Sequence, residues 1–435
     1  MRIQCQFHKE FAGYELLYKN AAPLIISALL AHYPHEAQIE ADMTIQSTGK
    51  RRQFNDPRPS TGGLQSNISH QSHGNQNFQP LPSPTGSAPY HLSLASVLPA
   101  DQMTAIQNSG HILLHLAGDT GGVKSPESQQ IVAMAMEEEF NYPDIAQRPA
   151  FFYHLGDVVY YYGERKEYYP QFYDPYIHYP APIFAIPGNH DGDVTPNGES
   201  SLAAFVDNFC APEAKLSAEA GEAVREAMTQ PNVYWTLEAP YVTIIGLYSN
   251  VPEGGRFEQD QVSWFVNELK TAPQDKALMV AVHHPAYSGD TNHSGSKYIQ
   301  EVLDGAFSEA GRIADLVCAG HVHNYQRFTR AVNGRHLPYI VAGAGGYWHL
   351  HYIAKLPDGS PLQTPYALPD SDVTLENACD NRHGFMRMMV TPQYIVGEYW
   401  VVSRPQESWR QPAQRIDSFQ LDWHSHKLIK GTNLP

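Results

Sequence analysis

Five apolar runs of strand length each end in a short polar motif, and this arrangement limits the fold more than any other property of the chain. The motifs are Gly118-Asp119-Thr120-Gly121, Gly156-Asp157-Val158-Val159-Tyr160, Gly188-Asn189-His190-Asp191, Val280-Ala281-Val282-His283 and Gly320-His321-Val322-His323. They follow or close the runs 112–116, 150–155, 182–186, 277–282 and 313–318. Strands that are apolar on consecutive residues tend to be covered on both faces, the habit of α/β sheets. In such sheets functional groups collect beyond the carboxyl ends of the strands. All five motifs fall at that end, where chance would scatter them over both.

Further strand-length runs occupy 241–247, 338–341, 385–390 and 394–402. Helical patterns span 125–140 and 258–270, the second with Val262, Phe265, Val266 and Leu269 on one core-facing side. No internal repeat is present. A chain of 435 residues can bury a large core, so one big α/β domain with an appendage is expected. Residues 1–45 carry apolar positions for one or two short helices, among them Phe11, Leu16, Leu17, Leu24, Ile25 and Leu29. Across 46–105 the composition turns to Ser, Gln, Asn, Gly, Pro and His, and the expectation is a mostly disordered linker. The main domain is then expected over 106–435.

The formal charge of −16 disfavours partners recognised through a phosphate backbone, so no nucleic acid is expected. No segment is long enough to span a bilayer, and no membrane association is expected. The four cysteines, Cys5, Cys210, Cys318 and Cys379, lie far apart and form neither a disulfide framework nor a zinc knuckle. The apolar run 23–31 is like the core of a signal peptide. Upstream, however, Glu10 and Glu15 stand beside Lys9 and Lys19, and no small-x-small site follows. Arg51-Arg52-Gln53-Phe54 is followed by Asn55-Asp56-Pro57 and not by an apolar stretch, so it is no twin-arginine signal. Location is left open between the cytoplasm and export, as is the oligomeric state.

The motifs differ in what they say alone. Asp119 sits in a glycine turn, where an aspartate is ordinarily a turn residue. Asp157 has two carboxylate oxygens with which to bridge two cations. Tyr160, three residues on, is a poor ligand for a divalent ion because its pKa is about 10, whereas a hard trivalent cation holds it as phenolate. Asn189-His190 offers a neutral oxygen next to an imidazole, or a helix cap. His283 is equally a core histidine satisfied by a carbonyl. His321-Val322-His323 is the stronger signal, because alternation along an extended segment turns both imidazoles to one side.

In this order, Asp-x-Gly, Asp-x-x-Tyr, Asn-His, Val-x-x-His and His-x-His resemble the purple acid phosphatase branch of the calcineurin-like metallophosphoesterases, over roughly residues 110–400. Many members of that superfamily carry a histidine two residues after the first aspartate. Gly121 stands there in this chain, and Tyr160 is present instead, both in keeping with the iron-binding branch. His283–Tyr287, Asn324-Tyr325-Gln326-Arg327 and Gly343-Ala344-Gly345-Gly346 add to the resemblance.

The resemblance implies a four-layer αββα sandwich, two mixed β-sheets flanked by helices, behind an irregular N-terminal extension. It implies that Asp119, Asp157, Tyr160 and His323 hold Fe(III), and that Asp157, Asn189, His283 and His321 hold a second divalent metal (Fe, Zn or Mn). His190 would contact a small phosphorylated substrate, and His293 would protonate the leaving group. The implied activity is cleavage of phosphate monoesters by in-line attack of a metal-bound hydroxide. Two carboxylates and a phenolate set three negative charges against five positive, and the hydroxide leaves a centre near +1 for an anionic ester. With His293 as acid, an imidazole pKa of about 6.5 sets an acidic to neutral optimum. A phosphodiesterase or nucleotide hydrolase with the same centre is the alternative, with specificity in the loops 163–179, 193–201 and 347–370. A non-catalytic metal-binding scaffold is the third reading.

Overall fold

Why the apolar runs are unbroken is visible once they are placed: each lies between two layers of other chain. The computed structural model describes residues 77–195, 198–369 and 371–429. The helices expected in 1–45 and the linker as far as residue 76 lie outside those residues.

Strands are numbered in chain order. The first eight are β1 (His91–Ser93), β2 (Ile112–Ala117), β3 (Phe151–His154), β4 (Ile183–Ala185), β5 (Trp235–Glu238), β6 (Val242–Leu247), β7 (Ala277–Val282) and β8 (Leu316–Ala319). Then come β9 (Tyr325–Val332), β10 (Arg335–Ala342), β11 (Tyr366–Ala367), β12 (Val373–Cys379), β13 (Gly384–Val390), β14 (Tyr394–Val401), β15 (Gln414–Asp422) and β16 (Lys427–Leu428). Among the described residues they form two mixed sheets, ordered β1-β5-β6-β7-β8-β10-β9-β12-β11 and β16-β15-β14-β13-β2-β3-β4. Within them β2-β3-β4 and β6-β7-β8 run parallel, with Leu116 opposite Tyr153 and Ile245 opposite Val280.

The helices are α1 (Ala100–Ser109), α2 (Glu127–Glu138), α3 (Arg165–Tyr168), α4 (Asn189–Gly192), α5 (Ala203–Phe209), α6 (Gln259–Thr271) and α7 (Lys297–Ala310). Alternation along the strands assigns the layers. Leu114 and Leu116 of β2 meet Met279 and Ala281 of β7 in the core between the sheets. The other face of β7, Leu278, Val280 and Val282, packs on Phe265 and Leu269 of α6 and on Ile299 and Leu303 of α7. Phe152 and Ile183 of the second sheet pack on Ile131, Val132 and Met136 of α2 and on Phe205 and Phe209 of α5. The order is helix, sheet, sheet, helix: the expected four-layer αββα sandwich.

Two segments differ from expectation. Within 77–105, read as the end of the linker, β1 extends the first sheet beside β5, α1 begins, and Leu94 and Leu98 are buried. A few well-spaced leucines are enough to offset the chain entropy that the polar composition suggests. Segment 163–179, read as a specificity loop, is mostly helical: α3 runs into a π-helical turn, Tyr169–Tyr173. Tyr168, Phe172, Tyr176 and Tyr179 recur at near-helical spacing and are all buried. No helix among the described residues is long and apolar enough to cross a membrane.

Candidate metal centre

The five motif loops leave the carboxyl ends of β2, β3, β4, β7 and β8 and meet where the two sheets adjoin. Backbone bonds tie them together: Asp119 N–H donates to the Gly156 carbonyl at 2.9 Å, and Gly320 N–H to the His283 carbonyl at 3.1 Å. Gly118 N–H reaches across to the Ala342 carbonyl of the other sheet at 2.9 Å. Asp119, Asp157 and His321 adopt left-handed φ values of 57°, 54° and 68°. Side chains seldom occupy that region, and such strain is held in place where surrounding structure over-determines it. Part of that restraint is Asp191, whose carboxylate accepts N–H bonds from Val158, Val159 and Gly188. Gly188 has to be glycine, since a Cβ there would overlap the Asp157 carboxylate.

Two sets of donor atoms result. In the first, Tyr160 Oη lies 3.4 Å from Asp119 Oδ1 and 3.3 Å from His323 Nε2, and His323 Nε2 lies 3.5 Å from Asp119 Oδ1. In the second, His283 Nε2 lies 3.1 Å from Asn189 Oδ1 and 3.4 Å from Asp157 Oδ1, and His321 Nδ1 lies 3.0 Å from Asn189 Oδ1. Oxygen and nitrogen ligands about 2.1 Å from one cation lie about 3.0 Å apart in octahedral and about 3.4 Å apart in tetrahedral geometry. Both sets have the spacing of a coordination shell. His321 N–H also donates to Asp119 Oδ2 at 2.7 Å, which joins the sets.

The imidazoles are held in the tautomers that ligation needs. His283 donates Nδ1–H to the Leu155 carbonyl at 2.8 Å, and His323 donates Nδ1–H to the His349 carbonyl at 3.2 Å. Each thereby keeps its Nε2 lone pair for the donor set. His321 is reversed, with Nε2–H toward Glu253 Oε1 at 3.4 Å and Nδ1 toward Asn189. Its segment is not the extended one that alternation assumes. The N–H groups of Val322 and Asn324 fold back two residues, to the carbonyls of Gly320 and Val322, and His321 and His323 face different sets.

Electrostatics agrees with a site built for positive charge. Burial drives the Asp119 carboxyl well above its usual range, with Asp157 adding to the push. Burial would raise Asp157 too, but His283 and His190 pull it below the ordinary value. Burial, then the two carboxylates, holds the Tyr160 phenol well above its normal pKa, so the phenolate forms only against a strong countercharge. Burial lowers His321 to about 4 and holds His323 well below its ordinary value, leaving both as neutral donors.

His190 donates its backbone N–H to Asp157 Oδ1 at 3.0 Å and Nδ1–H to the Tyr161 carbonyl at 2.9 Å. His293 lies on the far side of the second set, its ring 4.4 Å from that of His321. Its loop is fixed: Asp290 Oδ2 accepts the N–H groups of Asn292 and His293, each at 2.8 Å. Sequence reading passed over the supporting residues. Gln171 clamps both backbone groups of Tyr160, and Tyr347 packs its ring 4.4 Å from Tyr160 and 4.3 Å from His323. Glu253 and Asp290 anchor His293 and, respectively, His321 and His351. The one legible sign was His349-Leu350-His351, a second His-x-His just after the glycine cluster.

The profile of the calcineurin-like phosphoesterases matches residues 115–325, the stretch that bears all five motifs. Purple acid phosphatase 21 of Arabidopsis thaliana is 28% identical over 173 residues, 38% of this chain and 36% of that protein. Residues 115–325 of this chain carry a calcineurin-like metallophosphoesterase domain, similar in sequence to purple acid phosphatases. The probable purple acid phosphatase 20 of the same plant is 26% identical over 168 residues, 37% of this chain and 36% of the relative. The matched segment thus spans about a third of the length of those relatives. Among solved structures, the purple acid phosphatase PPD1 from yellow lupin (Lupinus luteus) seeds gives a TM-score of 0.48 at 16% identity, covering 73% of this chain and 55% of its own. A metallophosphoesterase domain implies metal cofactors, and the two donor sets fit them.

Proposed function

We propose that the chain is a dinuclear phosphohydrolase acting on phosphate monoesters. Asp119, Asp157, Tyr160 and His323 would hold a ferric ion, and Asp157, Asn189, His283 and His321 a divalent one, with Asp157 shared. The observation that carries this reading is the pair of adjoining donor sets at coordination-shell spacing, one with a phenol and the other with an amide. When bound, the cations supply Lewis acidity that makes water a nucleophile near neutral pH and offsets charge on the phosphoryl group.

The remaining work falls to the protein. His190, fixed through Nδ1–H on the Tyr161 carbonyl, would as an imidazolium donate Nε2–H to a phosphoryl oxygen of the substrate. His293 gives Nδ1–H to Glu253, which reserves Nε2 for a proton passed to the departing alkoxide. Burial works against a charge on His293, but Glu253 outweighs it and raises the pKa to about 9. The acid therefore keeps its proton through neutral pH, higher than an unperturbed imidazole would. The left-handed Asp119 and Asp157 hold their carboxylates in place before substrate arrives, so orientation is settled in advance.

The test is metal analysis of the purified protein together with turnover of an aryl phosphate and of the matching diester. Two equivalents of metal, one of them iron, and a preference for the monoester are expected. A preference for the diester would move the reading to phosphodiesterases. Metal without turnover of either would leave a binding scaffold.

A further inference from the structure

Glu253 lies outside the residues that the motifs single out, in the turn Pro252-Glu253-Gly254-Gly255 beyond β6. Its side chain is 13% exposed. One oxygen, Oε1, lies 3.0 Å from His293 Nδ1 and 3.4 Å from His321 Nε2. A carboxylate oxygen has lone pairs for both N–H groups. Where His321 Nδ1 and Asn189 Oδ1, 3.0 Å apart, both give lone pairs to one cation, the imidazole proton belongs on Nε2, and Glu253 is the acceptor that keeps it there.

We propose that Glu253 is a positioning residue shared by the centre's second half and its acid: it fixes the tautomer in which His321 offers Nδ1 to the divalent ion, and aims His293 so that Nε2 faces the leaving group. This rests on the hydrolase reading above. Occupancy of the second half and delivery of the proton are then linked through one oxygen atom. Asp290 makes the link separable from the loop's fold. It holds the backbone of Asn292 and His293, and the Asn324 side chain at 3.0 Å, without touching the ring nitrogen that Glu253 holds. Loss of Glu253 frees the rings and leaves the loop. Glu253, His293 and His321 also stand close enough, within 4.8 Å, to ligate a cation themselves. That would require His321 to give both nitrogens to metals as an imidazolate, while the proton it otherwise carries already has Glu253 as acceptor.

The experiment compares Glu253→Gln and Glu253→Ala with the wild type as full chains. Three readouts are used: metal retained against a chelator, side-chain ¹⁵N shifts of His293 and His321, and rates for aryl and alkyl phosphates of graded leaving-group pKa. Glu253→Ala is expected to release the second metal about 10–100-fold more readily while holding the first. Its rates should fall at least about tenfold further with poor leaving groups than with good ones, and the His321 shifts should become those of mixed tautomers. Glu253→Gln, which keeps one acceptor oxygen, should lie between. The proposal is overturned if both variants retain metal and leaving-group dependence as the wild type does. It is equally overturned if the wild type binds a third equivalent of zinc that Glu253→Ala loses. Should the wild type hydrolyse no phosphate ester while Glu253→Ala still sheds the second metal and mixes the tautomers, the positioning of His321 stands and the hydrolase reading falls.

Discussion

The two donor sets share the loops after β3 and β8 yet differ in chemistry. The first gathers a carboxylate, a phenol and one imidazole around atoms 3.3–3.5 Å apart. The second gathers an amide and two imidazoles around Asp157, at 3.0–3.4 Å. Hard anionic oxygens suit a highly charged ion, and neutral nitrogens with an amide suit a divalent one. In the proposed centre adjacent positions would thus select unlike cations, because the phenol carries negative charge only when the cation is strong enough to displace its proton.

The comparison fails or sharpens under mutation. Asp157 is the residue proposed to serve both halves, and Asp157→Ala should cost the most: a loss of order 10³ or more in turnover, about 4 kcal/mol of barrier, with both metals reduced in elemental analysis. His293→Ala should lower kcat by about 10²-fold and remove the alkaline limb of the pH–rate profile, leaving metal content unchanged. An identical profile would take His293 out of the mechanism. Asn189→Ala should weaken only the second half, by about 10–100-fold in affinity measured by titration of divalent metal. Tyr160→Phe should have the smallest effect on rate and the plainest optical one: loss of the visible ferric–phenolate absorption with the fold retained by circular dichroism. A colourless wild type, fully active with manganese alone, would erase the distinction between the halves.

Much of the fold was legible because the buried strands are unbroken aliphatic runs: β7, Ala277–Val282, is buried at every position. Two of the strands that escaped, β9 and β15, carry charge. Arg327 of β9 and Asp417 of β15 bond at 2.7 and 2.9 Å, and Arg330 of β9 pairs with Asp304 and Asp372. Charges satisfied across strands hide strand periodicity from a reading by hydropathy. Helix α7 escaped with Gly305 in its middle, though Ile299, Leu303, Ala306 and Phe307 mark its buried face. At the site, the residues that meet are those whose motifs end strands. Glu253 and Gln171 were not legible, because each acts at a distance along the chain of 11 residues or more on the group it steadies, and Asp290 holds its own loop only two and three residues on while reaching Asn324 from 34 residues away. A lone acid or amide in a turn has no local pattern.

Each donor set draws on both sheets. Asp119, Asp157, Tyr160 and Asn189 come from loops of the β2-β3-β4 sheet, and His283, His321 and His323 from loops of the β6-β7-β8 sheet. A cation in either proposed position would accordingly be a rivet through the seam of the sandwich, and its affinity would at the same time be adhesion between the two sheets. Whatever prises that seam apart, whether heat, denaturant or a cavity beneath it, would then work against the metal's affinity as well.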